Sequence, residues 1–372
     1  MFVVTEDWAL VSHRLHLVKA AIASGNKVAV VARGSECRVV LEAIGVCFYS
    51  WPLRRGSLNL AREIKSVLKL KNFVDEFEPE LIHAVALKPV IYSGLVCKIY
   101  KHIRFIAAMG GIGFVFTSNK IKAKILRFPI KILLRWVLKN PKSKLILQNK
   151  DNIKNFEDHR IVLPQNTILI RGSGVEIDKF IPSILPKGVP LVVLPARLLK
   201  DKGVCEFVEV ASRIKLAGIS ARFILVGDID NDNPETLTTS QIKRWVDLEI
   251  IEHWGRIEDM YEVYQQSTIV CLPSYAEGLP KALLEAASCC RPLVAFDVSG
   301  CREIIEHDIN GKLVEFGNLP ELEKSLSDLL LDNKKCLEMG LNGRKLVESN
   351  FSDTKINAQI FKVWQGMLLS ND

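Results

Sequence analysis

The stretch Thr268–Asp297, TIVCLPSYAEGLPKALLEAASCCRPLVAFD, decides the fold. TIVCLPS and PLVAFD are short β-branched runs that read as strands, and Pro280–Ser288 between them reads as a helix. Strand, helix, strand is the unit of a parallel sheet covered by helices. Glu277 stands in the loop before a Gly-Leu-Pro step, and Glu285 lies inside the helix that follows. A carboxylate near a helix start is common, because the helix dipole favours negative charge there. Capping plus one solvated glutamate is therefore the plain reading of this pair, and the rest of the chain has to decide whether it suffices.

The same rhythm runs through the sequence. FVVT, KVAVVA, LIHAV, RFIAA and KLILQ read as strands in the first half, with helical patterns over Leu60–Phe77 and Lys120–Lys139. LVVLPA, ARFILVG and LEIIEHW precede the opening stretch in the second half, with helices expected over Gly203–Ala217 and Met260–Gln266. Two such series predict an α/β chain of two doubly wound, Rossmann-like domains facing a cleft. At 372 residues the chain also exceeds what one core usually supports. The Gly- and Pro-rich segment RGSGVEIDKFIPSILPKGVP marks the join. We expect one domain over residues 1–172 and a second over 173–352. The helical pattern Ser352–Leu369, with Ser352 or Asp353 as N-cap, follows them.

Charge is unevenly divided. The chain carries +8 overall, yet residues 1–170 hold 27 Lys+Arg against 12 Asp+Glu. From Leu81 to Lys150 there are 14 basic residues and no acidic one, so the first half is expected to meet something anionic. The nine cysteines form no CxxC pair and sit mostly among apolar neighbours, which reads as reduced, buried thiols. No apolar run reaches the roughly 18–20 residues of a membrane span. The start, MFVVTEDWAL, has no basic n-region or cleavage site, so a cytoplasmic protein is expected.

Open parallel sheets bind ligands beyond their strand C-termini. After LVVLPA come Arg197, Lys202 and Gly203 and then a helix. A guanidinium fork, an ammonium and free helix N–H groups suit a diphosphate, although a solvated loop would look the same. After TIVCLPS, Gly278 permits close backbone approach, Leu279 follows, and Pro280 fits the first helical position. Glu277 can reach an uncharged polyol, and Glu285 can accept two ribose hydroxyls as acidic residues do in dinucleotide folds. A nucleotide-sugar has both parts, one for each glutamate.

The combination resembles the retaining family-4 glycosyltransferases of GT-B fold. Their E-x7-E segment corresponds to Glu277 and Glu285, and their R-x4-K-G to Arg197, Lys202 and Gly203. The inter-domain NGVD turn corresponds to Ser173–Glu176, with Ser173 in place of Asn. The resemblance implies that Glu277 lies by the transferred sugar, Glu285 on the ribose, Arg197 and Lys202 on the diphosphate, and Gly255–Ile257 near the nucleobase. It implies a last helix, 353–372, that returns to the first domain. It implies a front-face reaction in which the leaving phosphate helps deprotonate the acceptor. VVTEDWALVSHRL, LIHAVALKPVIYSG and GGIGFVFTS look like bacterial enzymes that extend lipid-linked oligosaccharides for O-antigen, capsule or glycoprotein glycans. That branch implies a UDP-sugar donor, an N-acetylhexosamine in several members, and an undecaprenyl-diphosphate-linked saccharide acceptor. His83 matches the family's active-site histidine at a strand end. Ser12 and His13 fall in the first βα loop, where DWALVSHR replaces the usual Gly-Gly turn, and Gly113 falls in the glycine-rich GGIG.

Other signals weigh less. Asp228-x-Asp230 starts like a calcium loop, but position six is Asn233 and position twelve Thr239, so no metal or other cofactor is expected. GGIG is followed by no Lys-Ser/Thr and is not a P-loop. Paired glutamates suit glycosidases too, which need no phosphate site. A sugar-nucleotide epimerase of the same architecture is the competing enzyme, but it needs no basic acceptor surface. A nucleic-acid-binding protein is the competing class; against it, the basic half lacks interleaved aromatics and any recognisable module. Within Lys120–Lys144, Lys120, Lys124, Arg127, Lys131, Arg135 and Lys139 share one helical face, and Ile121, Ile125, Phe128, Ile132 and Trp136 another. Pro129 is expected to kink or end the helix. An apolar face in the core with a solvated basic face competes with a surface for anionic lipid. With a lipid-linked acceptor, the second reading places the protein on the inner face of the cytoplasmic membrane.

Overall fold

The computed structural model describes the chain except Arg55, Leu58, residues 111–120, Pro141, Asn231, Asp232, Pro234 and residues 370–372; for residues 121–124 it describes the backbone alone. The expectation for Gly113 lies outside the described residues, as do those for Lys120 and the side chains of Ile121 and Lys124.

Two compact units are present, Met1–Ser173 with Asp353–Asp372, and Gly174–Ser352. The first holds a parallel sheet of seven strands: β1 (Phe2–Glu6), β2 (Ala29–Arg33), β3 (Cys47–Ser50), β4 (Leu81–Val85), β5 (Arg104–Met109), β6 (Ser143–Leu147) and β7 (Thr167–Leu169). Their order is β3-β2-β1-β4-β5-β6-β7. The side-chain period of two divides its residues between two helical layers. Val3, Val31, Ile82 and Phe105 pack with the helices Leu60–Phe77, Leu87–Ile99 and Ile121–Leu138. Phe2, Val4, Val30 and Ile106 pack with Asp7–Ala23 and with Asp353–Leu369.

The second unit holds a parallel sheet of six strands, β8 (Leu191–Pro195), β9 (Arg222–Val226), β10 (Glu252–Gly255), β11 (Ile269–Leu272), β12 (Leu293–Phe296) and β13 (Gly311–Val314), in the order β10-β9-β8-β11-β12-β13. Both orders reverse once, between β1 and β4 and between β8 and β11. Crevices open at such switch points beyond the strand C-termini.

The doubly wound prediction holds, and several details differ. The short strands β3, β7 and β13 were not read from the sequence; none exceeds four residues. The helix Ile121–Leu138 runs through Pro129 instead of ending there. Proline removes one backbone donor and need not break a helix whose following turns are packed, as these are through Leu134, Val137 and Leu138. The boundary falls after Ser173, one residue beyond expectation. All nine cysteines are free.

Candidate active site

The switch point of the second unit brings the expected donor residues together. β8 pairs with β11 in register Val192 to Ile269, so the loops after these two strands emerge side by side. The first carries Arg197 and Lys202, the second Glu277. Lys202 Nζ donates to Glu277 Oε1 at 2.6 Å, with both side chains largely shielded. Tyr275 N donates to Asp201 O at 2.9 Å and ties the two loops through their backbones.

Glycines make this approach possible. Gly203 adopts φ +72°, and a Cβ there would lie 1.9 Å from Pro273 O. Gly300 lies against the other side of the loop, where a Cβ would meet Glu277 O and Gly278 O at 2.7 Å. Only glycine fits either position without moving the loop.

Arg197 pairs with Asp230 at the surface. This contact gives the acidic loop a role the sequence did not reveal: Asp230 neutralises the guanidinium. Among the described residues, no group of three or more His, Cys, Asp or Glu is arranged to hold a metal ion.

The helix Lys281–Ser288 begins one residue later than expected, so Pro280 is its N-cap residue and not its first residue. Its φ of −72° and ψ of 110° keep it in extended backbone, which ends the loop. Leu279 is buried just before it. Glu285 sits in the second turn, also buried, with Oε2 accepting from Tyr264 Oη at 3.1 Å and Oε1 from Lys281 Nζ at 2.9 Å. The helix is locked from behind. Arg344 Nη1 donates to Ser288 Oγ and to Phe180 O at 2.8 and 2.7 Å, and a Cβ on Gly343 would meet Ala287 at 3.3 Å. Tyr264, Lys281 and Arg344 carry no motif signal; Lys281 alone, four residues before Glu285, could have been found from spacing. Gly255 ends β10 with φ +67°, at the C-terminal edge of the same sheet.

The first unit departs from expectation. His83 is the third of five residues in β4, not its end, and only 1% exposed. Its ring lies between Phe2 and Trp364, and Trp364 Nε1 donates to Nδ1 at 3.3 Å. Burial, then the charge of Arg14, hold its pKa well below the usual 6.5. Its other nitrogen, Nε2, is buried and has no hydrogen-bond partner among the described residues. The strand ends at Val85, and the next residue, Ala86, takes φ 80° and ψ 162°, a conformation ordinarily left to glycine. Ser12 and His13 are not in a loop, because the helix Asp7–Ala23 starts directly after β1 and carries both. Asp7 replaces the Gly-Gly turn. Its buried carboxylate accepts from Ser35 N at 2.6 Å, Ser35 Oγ at 2.7 Å and Trp8 N at 2.7 Å, which fastens the helix start to the end of β2.

In the helix Ile121–Leu138 the core takes Leu134, Val137 and Leu138. The apolar row that could have faced the core instead faces solvent: Ile125 is 67% exposed, Phe128 72%, Ile132 49% and Trp136 52%. One residue before each lies Lys124, Arg127, Lys131 or Arg135. Burial, then Arg127 and Arg135, lower the Lys131 pKa, as expected of a cation crowded by like charge.

Comparison with known proteins agrees with this fold. Residues 176–346 match the family model of group 1 glycosyl transferases, and residues 1–149 match the glycosyl transferase 4-like model. These two glycosyl transferase models together span most of the chain, and it is a glycosyltransferase. Among its relatives is the N,N'-diacetylbacillosaminyl-diphospho-undecaprenol alpha-1,3-N-acetylgalactosaminyltransferase of Campylobacter jejuni, 28% identical over 88% of each chain. Another is the UDP-Gal:alpha-D-GlcNAc-diphosphoundecaprenol alpha-1,3-galactosyltransferase of Escherichia coli, 22% identical over 80% of this chain and 78% of that one. In fold it is similar to a glycosyltransferase from Rickettsia africae, with TM-score 0.79, 19% identity and coverage of 100% and 98%. It is also similar to Anabaena HepE in complex with UDP, with TM-score 0.77, 18% identity and coverage of 98% and 99%. Both domains of this glycosyltransferase thus follow the GT-B pattern.

Proposed function

We propose that this glycosyltransferase moves a sugar, an N-acetylhexosamine, from a UDP-sugar to an undecaprenyl-diphosphate-linked saccharide, with retention at the anomeric carbon. The Lys202–Glu277 pair at the switch point carries the reading, because a cation for a leaving diphosphate touches a carboxylate suited to a sugar. The names of the Campylobacter and Escherichia relatives support the acceptor class.

In the reaction the bond from the anomeric carbon to the diphosphate oxygen breaks. A new bond to the acceptor hydroxyl forms on the same face, and the hydroxyl proton passes to the leaving diphosphate. Arg197 and Lys202 exchange their carboxylate partners for diphosphate oxygens. Together with the amides at the start of helix Lys281–Ser288 they stabilise the charge that develops there. Glu277 holds sugar hydroxyls and Glu285 the ribose. Two cations and a helix dipole supply what a metal would, so transfer needs no metal.

The same proposal places the protein on the inner face of the cytoplasmic membrane, in surface polysaccharide or glycan assembly such as O-antigen or capsule. Among the described residues no helix is long and apolar enough to cross a membrane. The exposed row Ile125, Phe128, Ile132 and Trp136 beside Arg127, Lys131 and Arg135 is the pattern of a helix lying in an anionic lipid interface.

The test is transfer from UDP-N-acetylhexosamines to an undecaprenyl-diphosphate saccharide in vesicles, with the product's anomeric configuration read by NMR. Retained configuration with stoichiometric UDP release is expected, and chelators should not slow it. An inverted product would overturn retention. A melting temperature unmoved by millimolar UDP or UDP-sugar would overturn the donor site.

A further inference from the structure

Arg14, in the helix Asp7–Ala23, is a half-buried cation. Among the described residues its guanidinium makes no hydrogen bond and no ion pair. Burial lowers its pKa to about 10, and no carboxylate among the described residues opposes the shift. A shielded charge without a partner is costly, because nothing repays its desolvation.

Arg14 lines a cavity of about 10 Å³ together with His83, Met109, Gln148 and Gly172, all of the first unit. That is room for about one water-sized group. Met109 ends β5 and Gln148 follows β6, so the cavity lies at the C-terminal edge of the sheet, where open parallel sheets take their ligands. His83 brings a second unused donor. Trp364 Nε1 can only donate, so Nδ1 accepts its bond and the neutral ring carries its proton on Nε2. That buried N–H has no partner among the described residues, and Arg14 is close enough for its charge to act on the same ring. A Cβ on Gly110 would stand 3.3 Å from Gln148 Oε1, so glycine leaves the carboxamide room. A guanidinium and an imidazole N–H thus converge beside an amide, and the group that matches them is the oxygen of an oxyanion.

Resting on the acceptor reading above, we infer that Arg14, with His83, holds one phosphate oxygen of a polyprenyl-diphosphate acceptor. Because Arg14 is half-buried and not sealed, the oxygen can enter while the lipid chain and the saccharide stay outside. From Leu81 to Lys150 the same unit carries 14 basic residues and no acidic one, which favours such a ligand. Free phosphate and the donor's own diphosphate present the same oxygens, so the experiment separates the three sources.

The experiment is calorimetric binding of farnesyl diphosphate, farnesol and inorganic pyrophosphate to the full-length protein saturated with UDP, for wild type and Arg14→Met. Wild type is expected to bind farnesyl diphosphate about tenfold or more tighter than either other probe, and Arg14→Met to weaken it by about 10- to 100-fold. UDP affinity should change by less than about twofold, since Arg14 lies outside the donor site. Unchanged farnesyl diphosphate affinity in Arg14→Met, or a UDP-loaded wild type that does not bind it, overturns the inference and leaves Arg14 a structural residue. Pyrophosphate bound as tightly as farnesyl diphosphate would mean a site for free phosphate, and UDP weakened in parallel a site for the donor; either overturns the acceptor assignment. If Arg14→Met does not fold, Arg14→Lys decides by the same probes, because it keeps the charge, loses the planar fork and should weaken farnesyl diphosphate by about threefold or more. Failure of transfer to an undecaprenyl-diphosphate saccharide, with binding through Arg14 intact, would overturn the acceptor reading and not this site.

Discussion

Lys202 Nζ lies 2.6 Å from Glu277 Oε1, so the cation assigned to the leaving diphosphate and the carboxylate assigned to the sugar neutralise each other. A diphosphate arriving beside this pair is attracted by one partner and repelled by the other. The two residues should therefore show opposite signs in binding and the same sign in catalysis.

Lys202→Ala is expected to weaken UDP binding by about 10- to 100-fold, the ~1.5–3 kcal/mol of a hydrogen bond to a charged group. Glu277→Gln should instead tighten UDP by about two- to fivefold, because a like charge is removed near solvent. Both should cut transfer by about 100-fold or more. Calorimetry with UDP beside a transfer assay checks the signs. Weaker UDP binding in both variants would mean that the pair acts only as structure.

Gly300→Ala tests how finely the Glu277 loop is placed. Its Cβ would stand 2.7 Å from two loop carbonyl oxygens, Glu277 O and Gly278 O. The loop must shift, and a shift of an ångström at a reacting centre costs about 100-fold in rate. We expect kcat to fall by 10- to 100-fold (about) with UDP affinity changed little. Unaltered kcat would show that the loop position is not critical.

His83 should govern part of the acid stability. Its folded pKa is depressed, so below about 6.5 the unfolded chain binds a proton that the folded chain resists. Stability is therefore complete above this value and declines as pH falls, by up to about 1.4 kcal/mol per pH unit. His83→Gln should flatten the loss of melting temperature between pH 6.5 and 5, with transfer at neutral pH reduced far less than by Lys202→Ala. A loss of transfer equal to that of Lys202→Ala, in a folded variant, would place His83 in the reaction.

The exposed row of the helix Ile121–Leu138 gives a surface test. Phe128→Glu should leave stability within about 0.5 kcal/mol, since the ring is 72% exposed and outside the core. It should lower binding to vesicles containing anionic lipid. Arg127→Gln with Lys131→Gln should remove about 2 kcal/mol, near 30-fold, from the same binding. Equal binding of wild type to neutral and anionic vesicles would sink the electrostatic part of the proposal.

Local pattern determined the architecture. β-branched runs and intervening helical periods fix strand and helix within a few residues of each other, and they gave β8, β11 and the helix Met260–Gln266. The spacing of Glu277, Glu285, Arg197 and Lys202 is also local, so it could be read before any fold was known. What contacts these residues is not local. Tyr264 and Asp230 reach Glu285 and Arg197 across 21 and 33 residues; nothing around Tyr264 marks it, and Asp228-x-Asp230 resembles the start of a calcium loop, not a partner for a guanidinium. The run LIHAV is β4 itself, but what encloses His83 within it, Phe2 of β1 and Trp364 of the last helix, is distant in sequence. The apolar row on the helix Ile121–Leu138 shows the same limit. Periodicity finds two faces on a helix, but only packing decides which of them the core accepts, and here the core took Leu134, Val137 and Leu138 and left Phe128 and Trp136 to the surface.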